Sequence, residues 1–369
     1  ADLLGRRDAA DDGRRGRRRG AEAAGGGAGR SGVHRRGALA ARGSAHAEER
    51  ADAAEIRCKR PAAGAVGMKT IVPLEITAAM VTDTDVPEDD TYSAWSGATA
   101  YVVDDIVYVA STQLRYKCVQ GHTNQDPTTD ADNSYWSPYG AATRWRPFDQ
   151  IVGSDASKTT SLYYEITPTA FCDGIALFGL VGGSVRIQIF NASSTEIHDE
   201  TYPLVNKSGI RNFQDFITWN PVYAQSFIET NLPIYAGYEV KITVAAGTGS
   251  TAAIGEIVIG RTVVLGTPRP GTTIGYEDFS SVEPNEFGER DIVERSYAPE
   301  AIYEFLIERG DEERVLQLLA ARRAKPTIFF TDITHFGFGT AVYGLPSAPE
   351  IVLTGTSRST CRLTVEGLI

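Results

Sequence analysis

Methionine is almost missing from this chain, with two residues among 369, while tyrosine contributes 16 and phenylalanine 14. Thr and Val are common and Gly reaches 37 residues. That mixture favours strands and tight turns over helix bundles. No run of 18 or more apolar residues occurs, so no membrane-spanning helix is expected. No apolar signal region opens the sequence, and no secretion route is legible in it. Collagen, coiled-coil and transmembrane classes are excluded.

The chemistry-bearing residues are equally sparse. The four cysteines, Cys58, Cys118, Cys172 and Cys361, include no C-x-x-C pair, which argues against zinc. Their wide spacing favours reduced thiols that pack as small hydrophobes. The five histidines, His34, His46, His122, His198 and His335, form no H-E-x-x-H helix. No G-x-S-x-G elbow, Walker loop or G-x-G-x-x-G turn is present. Gly337-Phe338-Gly339 comes nearest and reads as a loop. Asp332 and His335 read as a structural or surface pair. Two acidic runs, Asp83, Asp85, Glu88, Asp89, Asp90 and Asp126, Asp130, Asp132, Asn133, fit no EF-hand and read as solvated loops. Glu165 and Asp173 are imaginable as paired acids, but nothing in the sequence brings them together. The expectation is a non-enzyme without cofactor or metal.

Aromatic residues are also absent from residues 1–67, where 14 Arg and one Lys face nine acids, a net charge of +6. The whole chain carries −11, so residues 68–369 carry −17. A segment of Ala, Gly and Arg without large apolar side chains cannot offset its chain entropy by burial. It reads either as a basic arm suited to a polyanion or as a segment outside the native protein, since Met68 is the first methionine. Little packed structure is expected before it. The acidic body argues against direct nucleic-acid contact.

What remains reads as mainly β. Residues 68–91 give an N-terminal strand and an acidic loop. Residues 92–149 form a small aromatic unit, with strands at 100–110 and 114–119 and a polar loop from Gly121 to Ser134. Residues 150–260 hold recurrent strands. Val185, Ile187 and Ile189 alternate with Arg186 and Gln188 in a half-buried antiparallel strand, and the set suggests a β-sandwich or jelly roll. Residues 261–297 are rich in Gly, Pro and charge and read as an extended arm. Its Tyr276, Phe279 and Phe287 would be costly in water unless a neighbouring subunit covers them. Residues 298–369 predict a short helical hairpin followed by strands. Pro299 suits a first helical turn, and Ile302, Phe305 and Leu306 make an i, i+3, i+4 stripe. After Gly310, Asp311-Glu312-Glu313 suits the positive end of a second helix.

Within the aromatic unit the order is Trp95, Tyr101, Asp105, Val107, Tyr108, Tyr116, Cys118, His122, Pro127, Trp136. This resembles the small chitin- and cellulose-binding carbohydrate modules over roughly residues 92–146. Sugar rings present apolar C–H faces that flat aromatic side chains can match. The resemblance implies a glycan contact through Trp136, Tyr135 and Tyr139, which lie in a loop-rich segment, with Trp95 and His122 beside them. The same rings are also what a unit of about 50 residues needs for a core, so an architectural role stays open. The runs ALFGLVGGSVRIQIFN, GEIVIGRTVVLGTPRPGTTIGYEDFSS and NEFGERDIVERSY, and the ending CRLTVEGLI, resemble tail proteins of double-stranded DNA bacteriophages. That resemblance implies a virion structural protein of the tail tip, baseplate or fibre attachment. Such a protein is assembled in the host cytoplasm, forms a homo-oligomer and contacts other tail proteins and host surface glycan. The rival expectations are a carbohydrate-active enzyme with 92–146 as its binding appendage, or a bacterial surface adhesin.

Overall fold

The computed structural model describes residues 67–206, 210–284, 287, 289–331, 340–347, 349–353 and 357–368. The expected low-complexity segment, apart from residue 67, lies outside these residues, as do Asp332, His335 and Gly337-Phe338-Gly339. Residues 62–369 belong to one compact unit.

β-Branched and aromatic residues dominate the strands. β1 (Met68–Pro73) and β2 (Val81–Thr84) are followed by the five short strands of the aromatic unit. These are β3 (Ala100–Tyr101), β4 (Ile106–Val109), β5 (Leu114–Cys118), β6 (His122–Thr123) and β7 (Trp136–Ala141). β4, β5 and β7 make a three-stranded antiparallel sheet, β3 pairs with β6, and a 3-10 turn over Thr143–Phe148 ends the unit.

The next stretch runs β8 (Ala156–Thr159), β9 (Ser161–Ile166), β10 (Cys172–Phe178), β11 (Ser184–Phe190), β12 (Glu196–Pro203) and β13 (Val205–Asn206). It continues through helix α1 (Phe213–Thr218), β14 (Val222–Tyr223), β15 (Ser226–Ile234), β16 (Glu239–Ala245) and β17 (Thr251–Ile254). One face of the sandwich is the sheet β12-β11-β16-β9-β2. Val185, Ile187 and Ile189 are buried and Arg186 points to water as the alternation predicts, but Gln188, on the Arg186 side, is buried too, its amide reaching Glu196. The opposing face is β15 and β10 together with the start of β18 (Glu256–Pro268). Leu162, Ile187 and Ile242 from one sheet and Ile175, Leu177 and Ile257 from the other share a single apolar core.

β18 then continues into a second core. The remaining elements are β19 (Thr273–Asp278), β20 (Ser281–Pro284), β21 (Arg290–Val293), β22 (Tyr297–Glu308) and helix α2 (Glu312–Ala321). After them come β23 (Thr327–Phe330), β24 (Val342–Pro346), β25 (Glu350–Val352) and β26 (Arg358–Gly367). Hydrogen bonding runs β18-β1-β23-β24-β26-β22, and β22 pairs back to β18 through Thr267 opposite Leu306. The circuit is closed, which removes the open edges of those six strands. Met68, Tyr303, Phe305, Phe329 and Leu363 fill its interior, joined by Val315 and Leu319 of α2. β1 and β2, neighbours in sequence, thus serve different cores. Gly266 allows the closing crossing, since a Cβ there would stand 2.3 Å from the Leu306 carbonyl oxygen.

Two expectations need correction. The stripe Ile302, Phe305, Leu306 does not make a helix. Residues 297–308 are one strand, with Ala301, Tyr303, Phe305 and Ile307 buried on alternate positions. The period-2 set reaches further along the segment than the three-residue helical match, and pairing with β26 along nine residues decides the outcome. The hairpin is therefore a single helix, α2, with Glu312 and Glu313 in its first turn. Residues 261–297 are likewise not an unpaired arm. β18 extends to Pro268, β19 pairs with β22, and β20 and β21 form a hairpin. The described cysteines Cys118, Cys172 and Cys361 are free and buried. Among the described residues no helix is long and apolar enough to cross a membrane.

Candidate functional site

The aromatic unit builds its own small core from Tyr101, Val107, Tyr116, Cys118 and Trp136. Trp136, expected on a loop as a sugar platform, is 1 % exposed at the start of β7. Its indole N–H donates to the Gln125 carbonyl at 2.8 Å, and its ring meets Tyr101 and His122 edge-on at 5.1 and 4.9 Å. A unit this small needs its large rings inside to close an interior, and Trp136 is the most deeply buried of them. The Asp130 carboxylate fixes this strand start by accepting from the backbone N–H groups of Ser134, Tyr135 and Trp136. Burial works against its ionisation, but the three N–H groups prevail and hold its pKa below the usual range.

The other candidates divide. Tyr135 and Trp95 are half-buried against the same cluster. His122 is wedged beside Tyr101, Tyr135 and Trp136, and its ring nitrogens are buried without a hydrogen-bond partner. Tyr139 on β7 is 54 % exposed and is the most exposed of the five. Tyr276, Phe279 and Phe287, proposed for assembly, are all exposed on or beside the strands that follow β18.

The acidic run at 83–90 is a seam rather than a solvated loop. Asp89 takes a two-pronged contact from Arg115, Nε to Oδ2 at 2.5 Å and Nη2 to Oδ1 at 3.0 Å. Arg115 also donates to Thr143 Oγ1, and Thr143 donates to Asp90. Glu88 binds Arg144, Asp85 binds Lys158, and Asp83 accepts from the Tyr163 hydroxyl. Each carboxylate stitches the loop to the aromatic unit or to the sandwich, which is why so many acids stand together.

A cleft of 250 Å³ opens along this seam. Its walls are β2 (Thr82, Asp83, Thr84), Glu88, Gln113 from the β4–β5 turn, and Arg144 and Trp145 from the 3-10 turn. Trp145 rests on Phe148 at 4.9 Å between ring centres, and Phe148 rests in turn on Tyr164 of the sandwich. None of the sequence candidates lines it. Trp145 marks the far limit of the aromatic run, and its position next to Arg144 was the available signal.

The acids considered for catalysis are spread out. Glu165 is bound by Lys241 on β16, and Asp173 accepts from the backbone N–H of Thr262. A hollow of 320 Å³ at the far end of the sheet brings Glu277, Glu300 and Glu366 together beside Phe279. Glu256, at the start of β18, is 3 % exposed and accepts from the Gln150 N–H at 3.0 Å and the Tyr343 hydroxyl at 3.3 Å. Burial, with the Asp149 charge adding, pushes its pKa up to about 8.

No model of a known protein family matches the chain, and no curated protein does. Among solved structures, a mutant of chitosan-binding module 1, derived from a chitosanase/glucanase of Paenibacillus sp. IK-5, is similar to part of it. The match covers 32 % of this chain and 84 % of that one at 14 % identity, with a TM-score of 0.23.

Proposed function

We propose that this chain is a structural component of a bacteriophage tail, at the tip, baseplate or fibre attachment. In this reading it is present in several copies, and the unit at 92–149 contacts host surface glycan. The observation that carries the reading is where the exposed apolar side chains sit. Helix α1 has no buried residue, yet it presents Phe213, at 77 % exposure, together with Phe216 and Ile217. A six-residue helix is far too short to be stable without packing. On the β19–β21 excursion Tyr276, Phe287, at 89 % exposure, and Ile292 are turned to water in the same way. Two such excursions on one body suit contacts with further copies of the chain and with other tail proteins.

Mass photometry of the full chain and imaging of particles that contain it test this reading. A defined oligomer is expected. Phe213→Ser with Phe216→Ser should abolish it while changing monomer stability by no more than about 0.5 kcal/mol. A monomer at all concentrations, found in no virion, would overturn the reading.

A second reading, glycan hydrolysis, draws on the acidic hollow. Glu300 and Glu366 are directly opposed across β22 and β26. The Cβ atoms of such cross-strand neighbours stand about 5 Å apart, which allows the two carboxyls to approach the separation that retaining glycosidases use, about 5 Å. This reading expects sugar release from a polysaccharide by the full chain and its loss in Glu300→Gln and Glu366→Gln. Absence of release from every polysaccharide offered would remove it.

A further inference from the structure

We infer that the glycan is held in the seam cleft between β2 and the 3-10 turn, and that its preferred ligand is a pyranose segment free of acidic groups. The inference rests on the glycan reading above and moves the contact away from the Tyr135–Tyr139 side of the unit.

The cleft, at 250 Å³, is of a size to seat a small, compact group. Its lining sets polar side chains of both kinds (Asp83, Glu88, Gln113, Arg144) and small apolar ones beside one aromatic ring, which suits a sugar with several hydroxyls on a C–H face. The Trp145 ring supplies the face, half-buried and backed by Phe148. The Gln113 backbone is bonded to Val109 and Ala142, but among the described residues neither its side-chain amide nor the Trp145 indole N–H has a hydrogen-bond partner, so both are open to a ligand. Asp83 Oδ2 is occupied by the Tyr163 hydroxyl and Glu88 Oε1 by Arg144, which leaves the second oxygen of each carboxylate as an acceptor.

The walls are already fixed. Arg144 is pinned by the Val86 carbonyl and by Glu88. The Thr82 and Thr84 hydroxyls are committed to the backbone carbonyls of Glu165 and Tyr163. Little ordering is left to be done on binding, which favours affinity from few contacts. Tyr139, by contrast, is a single exposed ring beside Pro138 and Gly140 on β7. The charge of the cleft selects the class. Asp83 and Glu88 face one Arg144, so an acidic sugar meets net repulsion, while a neutral or amino sugar uses the free oxygens as acceptors for its O–H or N–H groups.

The test is a glycan array carrying neutral, amino and acidic oligosaccharides, followed by titration of the best ligand into the full chain. Trp145→Ala should weaken binding by about tenfold or more. Gln113→Ala and Trp145→Phe, which spare the packing on Phe148, should each weaken it several-fold with unchanged urea midpoints. Tyr139→Ala should leave it unchanged. If Tyr139→Ala abolishes binding while the three cleft variants bind normally, the cleft assignment is wrong and the glycan reading stands. Tighter binding of acidic sugars than of neutral or amino ones overturns the ligand class. If the parent chain binds no glycan, the underlying reading fails and the cleft assignment with it.

Discussion

Asp89→Ala should destabilise the protein by about 3–5 kcal/mol. Asp89 and Arg115 are both buried, and Arg115 lies with its guanidinium over the Tyr92 ring at 5.0 Å. Removing the carboxylate leaves an arginine that cannot lose its proton in a site closed to water, held only by Thr143 and by the more distant Asp90. Urea unfolding of the full chain measures the cost. The double variant Asp89→Leu with Arg115→Met should recover part of it, because an apolar pair replaces the ion pair without an orphaned charge, while the Thr91 and Tyr92 N–H groups still lose their acceptor. Since the pair ties the aromatic unit to its preceding loop, the single variant should also expose that unit first, seen as early proteolysis between residues 92 and 149. A cost below about 1 kcal/mol, the value for a solvent-exposed pair, would show that water reaches the site.

The second large effect is a pH dependence set by Glu256. Its folded pKa stands at about 8 against an ordinary 4.5. The folded state therefore keeps a proton that the unfolded state has released. Between those values stability falls as pH rises, by about 1.4 kcal/mol per unit for one such group, and levels off above the upper one. Burial raises the pKa of neighbouring Asp149 as well, which adds to the fall. The other groups that meet Glu256 are the Tyr343 hydroxyl and the Gln150 N–H. Glu256→Gln keeps the shape and carries no charge; its carbonyl oxygen can accept from the Gln150 N–H while its NH2 donates to the Tyr343 hydroxyl oxygen. It should match the parent near pH 4.5, exceed it increasingly up to pH 8, and show a much flatter profile. A parent whose urea midpoint is constant from pH 5 to 8 would contradict the enclosure of this carboxyl.

The strands were the most legible part of the structure, because alternation is a local property. Val185, Ile187 and Ile189 announce their own sheet face. Residues 302–306 show where this fails: a short window satisfied both periods, and the partner strand β26 lies some 60 residues further on. The barrel was invisible for the same reason, since no local pattern tells β1 to sit between β18 and β23. Within the aromatic unit the residue types were read correctly as a cluster. Which ring faces inward is set by register, and Trp136 falls on the inner side of β7. The cleft was beyond reach, as Thr82, Gln113 and Trp145 are brought together only by the seam. Its acids were noticed, but as a charge run and not as paired groups.

The place of β1 bears on how the protein comes to be made. Thr70 hydrogen-bonds the carbonyl of Ile328, 258 residues ahead of it, and β1 is flanked by β18 on its other side. As the nascent chain leaves the ribosome, this apolar ribbon has to wait for both neighbours before it can be sheathed. The sandwich can condense early, whereas the barrel cannot be hooped until synthesis is nearly done. Contacts of such long range slow folding and leave sticky intermediates, so overproduction in bacteria should reward slow translation or added chaperones.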